Sequence, residues 1–386
     1  MRRGTTGTFQ ATIYGDESVR AFVPHDLPPQ PPLDLAGGIQ AGLERAQLAL
    51  GRLDSISTLL PGPGLFLYTY IRKEALLSSQ IEGTQSSLSD LLLYEIEQTP
   101  GVPLDDVVEV SNYVGAMVHG LSRLRGGFPL SNRLICEIHQ RLLAKGRGSE
   151  KQPGEFRRSQ NWIGGTRPGN AQFVPPPVDR LADCLSSLEL FLHRTDDGLP
   201  QLVRTALAHV QFETIHPFLD GNGRVGRLLI TFLLCHAQIL REPLLYLSLY
   251  FKQHRDEYYR LLDVVRHEGD WEAWLAFFLD GVTQTADGAV ETARRLNALF
   301  EEDHGRVQQK GRRASSALRV HEALKRRPVT TLQEVAKSTG LTFPTAGASM
   351  DVLAGLGIVR EVTGKRRNRV FAYGAYLDIL NEGTES

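Results

Sequence analysis

One stretch, His216 to Arg227, constrains the fold more than any other: His-Pro-Phe-Leu-Asp-Gly-Asn-Gly-Arg-Val-Gly-Arg. Upstream, Leu202, Ala206 and Val210 recur at helical spacing, and His216-Pro217 ends that helix. Downstream, Val225, Leu228, Leu229, Phe232 and Leu233 fall at i, i+3, i+4, i+7 and i+8, one apolar face of a second helix. Two helices therefore meet at a tight turn, with Gly221-Asn222-Gly223 where the second begins. The free N–H groups and positive end of a helix start make an anion site. Glycines there let backbone N–H groups approach a phosphate closely. Arg224 and Arg227, three apart, project from neighbouring parts of one face and can clamp a polyphosphate. Asp220 is placed to hold a hard cation such as Mg2+ against the same phosphates. His216, four residues earlier, can take a proton from an attacking hydroxyl. These parts point to transfer from a nucleotide polyphosphate. Gly221, Gly223 and Gly226 also spell GxGxxG, but that dinucleotide fingerprint follows a strand. A plain helix-capping turn explains the glycines but not His, Asp and two arginines at fixed offsets.

The same residues carry a family resemblance. The stretch matches, without a gap, the HxFx(D/E)GNGRxxR signature of the Fic family. The resemblance implies a mainly α protein, a Fic-type helical bundle, that transfers AMP from ATP to a Ser, Thr or Tyr hydroxyl of a protein. It implies His216 as general base and Asp220 as Mg2+ ligand. Gly221, Asn222 and Gly223 become the anion hole, with Arg224 on the β-phosphate and Arg227 on the γ-phosphate. Val225 and Gly226 complete that nucleotide-binding segment, and Phe218 anchors the loop in the core. Upstream, Ser78-Ser79-Gln80-Ile81-Glu82-Gly83 resembles the family's inhibitory signature, (S/T)xxxE(G/N). It implies that Glu82, flanked by Ser78 and Gly83, pairs with Arg227. An arginine engaged bidentately by a carboxylate is denied to a γ-phosphate. Removal of AMP, with Glu82 aligning a water, stays open. So does a DNA-binding regulator that uses the Fic body as a nucleotide sensor.

Arg157 to Pro177 reads as a β-hairpin: Asn161-Trp162-Ile163-Gly164-Gly165, then Pro168-Gly169-Asn170, then Phe173-Val174 before three prolines. In a Fic protein a hairpin at this place is a flap beside ATP that aligns the target by strand addition. That implies nucleotide contacts from Ile163, Gly164, Gly165 and Thr166, and an open edge for another chain. Tyr258 and Tyr259, on a helix beyond the motif, are expected to flank the base.

The expected division is an N-terminal arm and helix (1–64), a Fic domain (65–304) with inhibitory helix 65–83 and flap 157–177, a linker (305–316), a small winged helix-turn-helix domain (317–376) and a tail (377–386). Residues 1–34 read as an extended arm. Leu35–Leu60, closed by Pro61-Gly62-Pro63-Gly64, and Ser86–Glu97, closed by Thr99-Pro100-Gly101, read as helices, as do Tyr246–Arg266 and Trp271–Phe300. Between Arg306 and Tyr376 there are 14 Lys/Arg against 4 Asp/Glu, a balance of +10. The net charge is −1, so the remainder carries −11. A basic module on an acidic body points to DNA as its partner, and the wing tip Lys365-Arg366-Arg367-Asn368-Arg369 suits phosphate contacts. Its recognition helix is short of Arg, Lys, Asn and Gln, which argues against base reading; a protein-interaction or dimerisation wing stays open. With 41% hydrophobic and 23% charged residues over 386, the chain suits two or three soluble domains. It has no apolar run of about 18 residues for a membrane span, and no apolar core after Arg2-Arg3 for a signal peptide. Cys136, Cys184 and Cys235 read as buried thiols in a reducing cytoplasm. The expected partners are ATP with Mg2+, a target protein, DNA and a second copy of the chain in a homodimer, with no membrane.

Overall fold

The computed structural model describes residues 1–15, 17–59, 63–97, 104–365 and 367–384. The expected breaks at Pro61-Gly62 and Thr99-Pro100-Gly101, and wing-tip Arg366, lie outside them. The fold is mainly α-helical. A two-stranded hairpin, β1 (Gly7–Tyr14) and β2 (Glu17–Pro24), precedes α1 (Gly38–Leu59), α2 (Pro63–Ile81), α3 (Leu88–Glu97), α4 (Leu104–Arg125) and α5 (Asn132–Leu142). After a long loop come α6 (Val178–His193), α7 (Gln201–Ile215), α8 (Asn222–His236), α9 (Ser248–Gln253), α10 (Arg255–Glu268) and α11 (Trp271–Gln308). Among the described residues no helix is long and apolar enough to cross a membrane.

The motif pair sits at the centre. Every residue of α7 from Leu202 to Ile215 is buried, so the helix has no solvent face and its polar side chains need internal partners. Arg204 pairs with Asp197 and donates to the Phe191 carbonyl. Gln211 donates to the His25 carbonyl, and Trp274 donates to that of Ala206. Helix α8 packs beside α7 and is closed over by α4, while α1 lies along α11.

The C-terminal part runs α12 (Ala314–Arg326), β3 (Val329–Thr331), α13 (Leu332–Thr339), α14 (Phe343–Gly355), β4 (Val359–Glu361), β5 (Val370–Tyr373) and α15 (Gly374–Asn381). The three strands form one antiparallel sheet in the order β3-β5-β4. Thr331 and Glu334 form a capping box at the start of α13, and Thr342 caps α14. One hydrophobic core runs unbroken from Val23 to Leu380, so this part is packed into the body. The Tyr373 hydroxyl donates to Asp303 on α11 at 2.6 Å, and Phe300 stands edge-on to Tyr376.

Several expectations are corrected. The arm contains a regular antiparallel hairpin, paired from Gly7↔Pro24 to Tyr14↔Glu17. In β2, Val19 and Ala21 to Pro24 are buried while Ser18 and Arg20 are exposed, in line with the alternation in Ser18-Val19-Arg20-Ala21. The expected helix 246–266 breaks at His254. The expected linker 305–316 is mostly helical: α11 continues to Gln308, and α12 starts at Ala314 after a single 3₁₀ turn at Gly311–Arg313. The tail carries α15. Of the three thiols only Cys184 is buried; Cys136 and Cys235 are partly exposed. The flap has no regular strands: a single bridge joins Ile163 to Phe173, with a 3₁₀ turn at Pro168–Asn170. Gly164 and Gly165 both take positive φ, and Pro175–Pro177 lack N–H donors, so a ladder cannot propagate. At Val174 the flap's edge is already paired, because its carbonyl accepts the Phe22 N–H at 2.8 Å.

Candidate active site

The turn between α7 and α8 is built by side chains that face inward. His216 ends α7 in the left-handed region, φ 48°. Its carbonyl accepts from Arg157 Nε and Asn161 Nδ2, both at 3.1 Å. The Asn222 side chain closes the loop by accepting the Phe218 N–H and donating to the Phe218 carbonyl, both at 2.8 Å. The Asn222 side chain is therefore a brace of the loop. Phe218 is fully buried and stacks on His139 at 3.7 Å between ring centroids. His139 Nδ1 accepts the Gly154 N–H at 2.9 Å, so Nε2 carries the proton it gives to the Asp220 carbonyl at 3.0 Å. Burial pushes the His139 pKa down to about 4, which keeps it in that neutral form.

Both motif arginines are buried and both are held by acids. Arg227 Nη2 lies 2.7 Å from Glu82 Oε1 and also donates to the Ser78 carbonyl at 2.9 Å, while Nε donates to Ser78 Oγ at 2.8 Å. The expected bidentate fork is thus divided: Ser78, on the last turns of α2, takes Nε, and Glu82 receives one nitrogen. Glu82 stands just past the end of α2, where Gly83 adopts φ 100° and the Glu82 N–H returns to the Ser79 carbonyl. Burial raises the Glu82 pKa, but Arg227 outweighs it and the net shift is downward, so the carboxylate is charged. A Cβ built on Gly223 would collide with Glu82 Oε1. The carboxylate therefore rests directly on the glycine turn that sequence reasoning assigns to phosphate. Arg224 Nη1 lies 2.6 Å from Glu109 on α4, with both side chains 3% exposed, and Nη2 lies 3.3 Å from Asp220. Arg147 holds the other Glu109 oxygen at 2.7 Å.

A cavity of about 550 Å³ opens beside the turn. Its floor is His216, Gly223 and Arg227, with Glu82 and Glu213; its walls are Trp162, Ile163 and Gly164 of the flap and Tyr258, Tyr259 and Arg266 of α10. Burial, aided by Arg266 and Arg157, pushes the His216 pKa down to about 3, so its imidazole is uncharged at neutral pH and one ring nitrogen can accept a proton. Tyr258 is a wall with its hydroxyl engaged, 2.9 Å from His209 Nε2, whose Nδ1 reaches the Gly226 carbonyl at 3.0 Å. Several expected contacts lie elsewhere. Gly165 and Thr166 turn toward Asn170, which accepts the Thr166 N–H at 3.0 Å. Val225 is in the core, and Gly226 faces Glu213. Asp220, Gly221 and Arg224 of the same turn are not among the residues that line this cavity.

Asp220 offers a carboxylate that could hold a divalent cation. Its Oδ1 takes the Gly221 N–H at 2.6 Å, while a Cβ on Gly148 would come 2.7 Å from Oδ2, so a glycine keeps space open there. A single carboxylate plus phosphates and water is how Mg2+ is commonly held. Sequence reasoning missed Glu213, Arg266, Glu109 and the His139 brace. Glu213 had a usable signal, since three residues before His216 on one helix puts both on nearly the same face. Burial pushes its pKa up to about 7. Glu109 had none, because its partner is far away in sequence.

Sequence comparison finds relatives for this mainly helical chain. Residues 41–122 match the Fic/DOC family N-terminal region and residues 129–234 match the Fic/DOC family. It is 37% identical over 176 residues to the protein adenylyltransferase Fic of Culex quinquefasciatus, covering 44% of this chain and 32% of that one. To that of Aedes aegypti it is 38% identical over 154 residues, 40% and 28% of the two chains. The chain thus spans about a third of the length of these curated relatives. Its fold resembles a Fic family protein from Desulfovibrio desulfuricans, at TM-score 0.58 and 20% identity over 89% of this chain and 98% of that one. It also resembles Fic-1 of C. elegans, at TM-score 0.52 and 20% identity over 67% and 74%.

Proposed function

We propose that the chain transfers AMP from ATP to a hydroxyl of a target protein, and to itself, and that Glu82 restrains the reaction. The observation that carries this reading is the placement of Glu82 on both Arg227 and Gly223, the two groups that would receive the terminal phosphates. In the reaction, the N–H groups at the start of α8 and the two arginines hold the phosphate chain with its α-phosphorus facing His216. His216 takes the hydroxyl proton as the oxygen bonds to the α-phosphorus. The bond from that phosphorus to the α,β-bridging oxygen breaks, and its electron pair leaves with pyrophosphate. Phosphate charge beside His216 raises its proton affinity from the low resting value, which suits a base. Asp220 would hold Mg2+, which when bound neutralises charge on the leaving group. Positioning and charge stabilisation dominate such transfers. The test is mass spectrometry of the protein and a lysate after incubation with ATP and Mg2+. An AMP adduct on a Ser, Thr or Tyr supports the reading; pyrophosphate-free nucleotide binding with no adduct on any protein opposes it.

Duplex DNA is the proposed partner of the winged part. A cleft of about 760 Å³ there is lined by Lys365, Arg367, Asn368 and Arg369 of the wing, by the start of α13 and by exposed Phe343. Binding by the full chain should weaken steeply with salt, since each neutralised phosphate releases counterions. Binding that is indifferent to salt, or absent at low salt, opposes it.

A further inference from the structure

Helix α2 carries Ser78 and leads into Glu82, so its placement decides where the Arg227 restraint sits. Its other side is fastened to the C-terminal end of the chain. Thr69 Oγ1 lies 3.1 Å from the Tyr376 hydroxyl of α15, in a buried contact. Lys73, 8% exposed, donates through Nζ to the Glu382 carbonyl at 2.8 Å. Gln80 Nε2 donates to the Thr384 carbonyl at 3.1 Å, and Gln80 Oε1 receives Lys252 at 2.8 Å. At about 100° per residue, Thr69, Lys73 and Gln80 fall within roughly 40° of one another on α2, and Ser78 lies roughly 180° from Thr69. The helix is therefore a bar with Arg227 on one side and the C-terminal segment on the other. The segment is itself tied down, because Arg295 of α11 grips Glu382 with both Nη atoms at 2.6 Å.

We propose that Thr69, Lys73 and Gln80 are positioning residues that act through Glu82: by docking α15 and residues 382–384 on α2 they hold Ser78 and Glu82 against Arg227. The proposal rests on the reading of Glu82 as a restraint. Loss of these ties lets the end of α2 move away from the turn. A buried ammonium on a carbonyl is a charge-assisted bond, stronger than a neutral one, so Lys73 is the principal tie. The consequence is directional: weakening the dock raises transfer, although none of the three residues lines the cavity.

The experiment compares automodification by full-length protein, read with α-phosphate-labelled ATP, in wild type, Lys73→Met/Gln80→Leu, Glu82→Gly and the triple variant. Lys73→Met/Gln80→Leu should label about 3- to 10-fold faster at low ATP, chiefly through a lower KM for ATP. Lys73→Arg, which keeps a cationic donor for the Glu382 carbonyl, should stay near wild type. The triple variant should match Glu82→Gly, because the ties act only through that carboxylate. Thr69→Val, which loses a single hydrogen bond, should show the same rise at about 2-fold and serves if the double variant does not fold. Wild-type labelling by the tie variants beside an activated Glu82→Gly overturns the proposal and leaves the Glu82 reading standing. Reduced labelling in both backgrounds means that the ties only support the fold, and overturns it too. If Glu82→Gly itself labels no faster than wild type, the Glu82 reading falls and this inference falls with it.

Discussion

Glu82 Oε1 lies 2.7 Å from Arg227 Nη2 and occupies the space a side chain on Gly223 would need. On the proposed reading, one oxygen thus withdraws both a cation and a stretch of the glycine turn from a nucleotide. The contact joins residues 145 positions apart.

Glu82→Gly should raise AMP transfer and automodification, because it frees Arg227 without touching a group that moves a proton. Arg227→Ala should not imitate it, since the γ-phosphate loses its partner as well. The double variant should behave as Arg227→Ala alone. Rates of labelled AMP incorporation over a range of ATP concentrations decide this, and equal rates for Glu82→Gly and wild type refute the restraint.

His216→Ala should lower transfer about 10²- to 10⁴-fold, the usual cost of a lost general base. Nucleotide binding and the thermal transition should change little, since the main-chain carbonyl at 216, not the imidazole, receives Arg157 and Asn161. Wild-type turnover by the variant removes His216 from the chemistry.

Glu213 gives a prediction about pH. An unfolded glutamate loses its proton near the ordinary 4.5, whereas burial raises the folded value to about 7. In that window the native chain holds the extra proton, so this group's contribution to stability falls as pH rises. The buried histidines act oppositely: His216 and His209, pushed down to about 3, charge more readily when unfolded and add stability as pH rises toward 6.5. Comparing Glu213→Gln with wild type isolates the carboxyl. The variant should gain in melting temperature relative to wild type at pH 8 and gain least near pH 4.5; a pH-independent difference counts against the assignment.

Gly226→Ala should destabilise by about 1–3 kcal/mol, the usual cost of overpacking. Its new Cβ would collide with Glu213 Oε1 and meet the Phe212 ring at 3.3 Å. Pairing it with Glu213→Ala should recover part of the loss in a denaturant titration, and purely additive losses oppose this account.

The sequence disclosed what is local. The turn, the flanking helical faces and the charge of the C-terminal part could all be read from neighbours in the chain, because helical spacing and glycine content are short-range properties. Glu82 was found because its motif carries a family pattern, although its geometry was not: Ser78 shares the guanidinium, so the fork is split. Glu109 on Arg224, β2 against the flap and residues 382–384 on α2 left no local mark. Each is a meeting of distant segments decided by packing; the missing strands of the flap, by contrast, follow from its own glycines and prolines, the residues that suggested a hairpin turn.

The carboxylate on Gly223 has a consequence for how the protein responds to ATP. Glu82 is a ligand for the anion turn that never diffuses away. Being tethered to the end of α2, it competes at an effective concentration that for short linkages reaches the millimolar range. On the proposed reading, ATP must therefore outbid a fixed internal rival, as if an enzyme were permanently mixed with its own weak inhibitor. On the same reading, output then depends on the grip of α2 as well as on the supply of nucleotide.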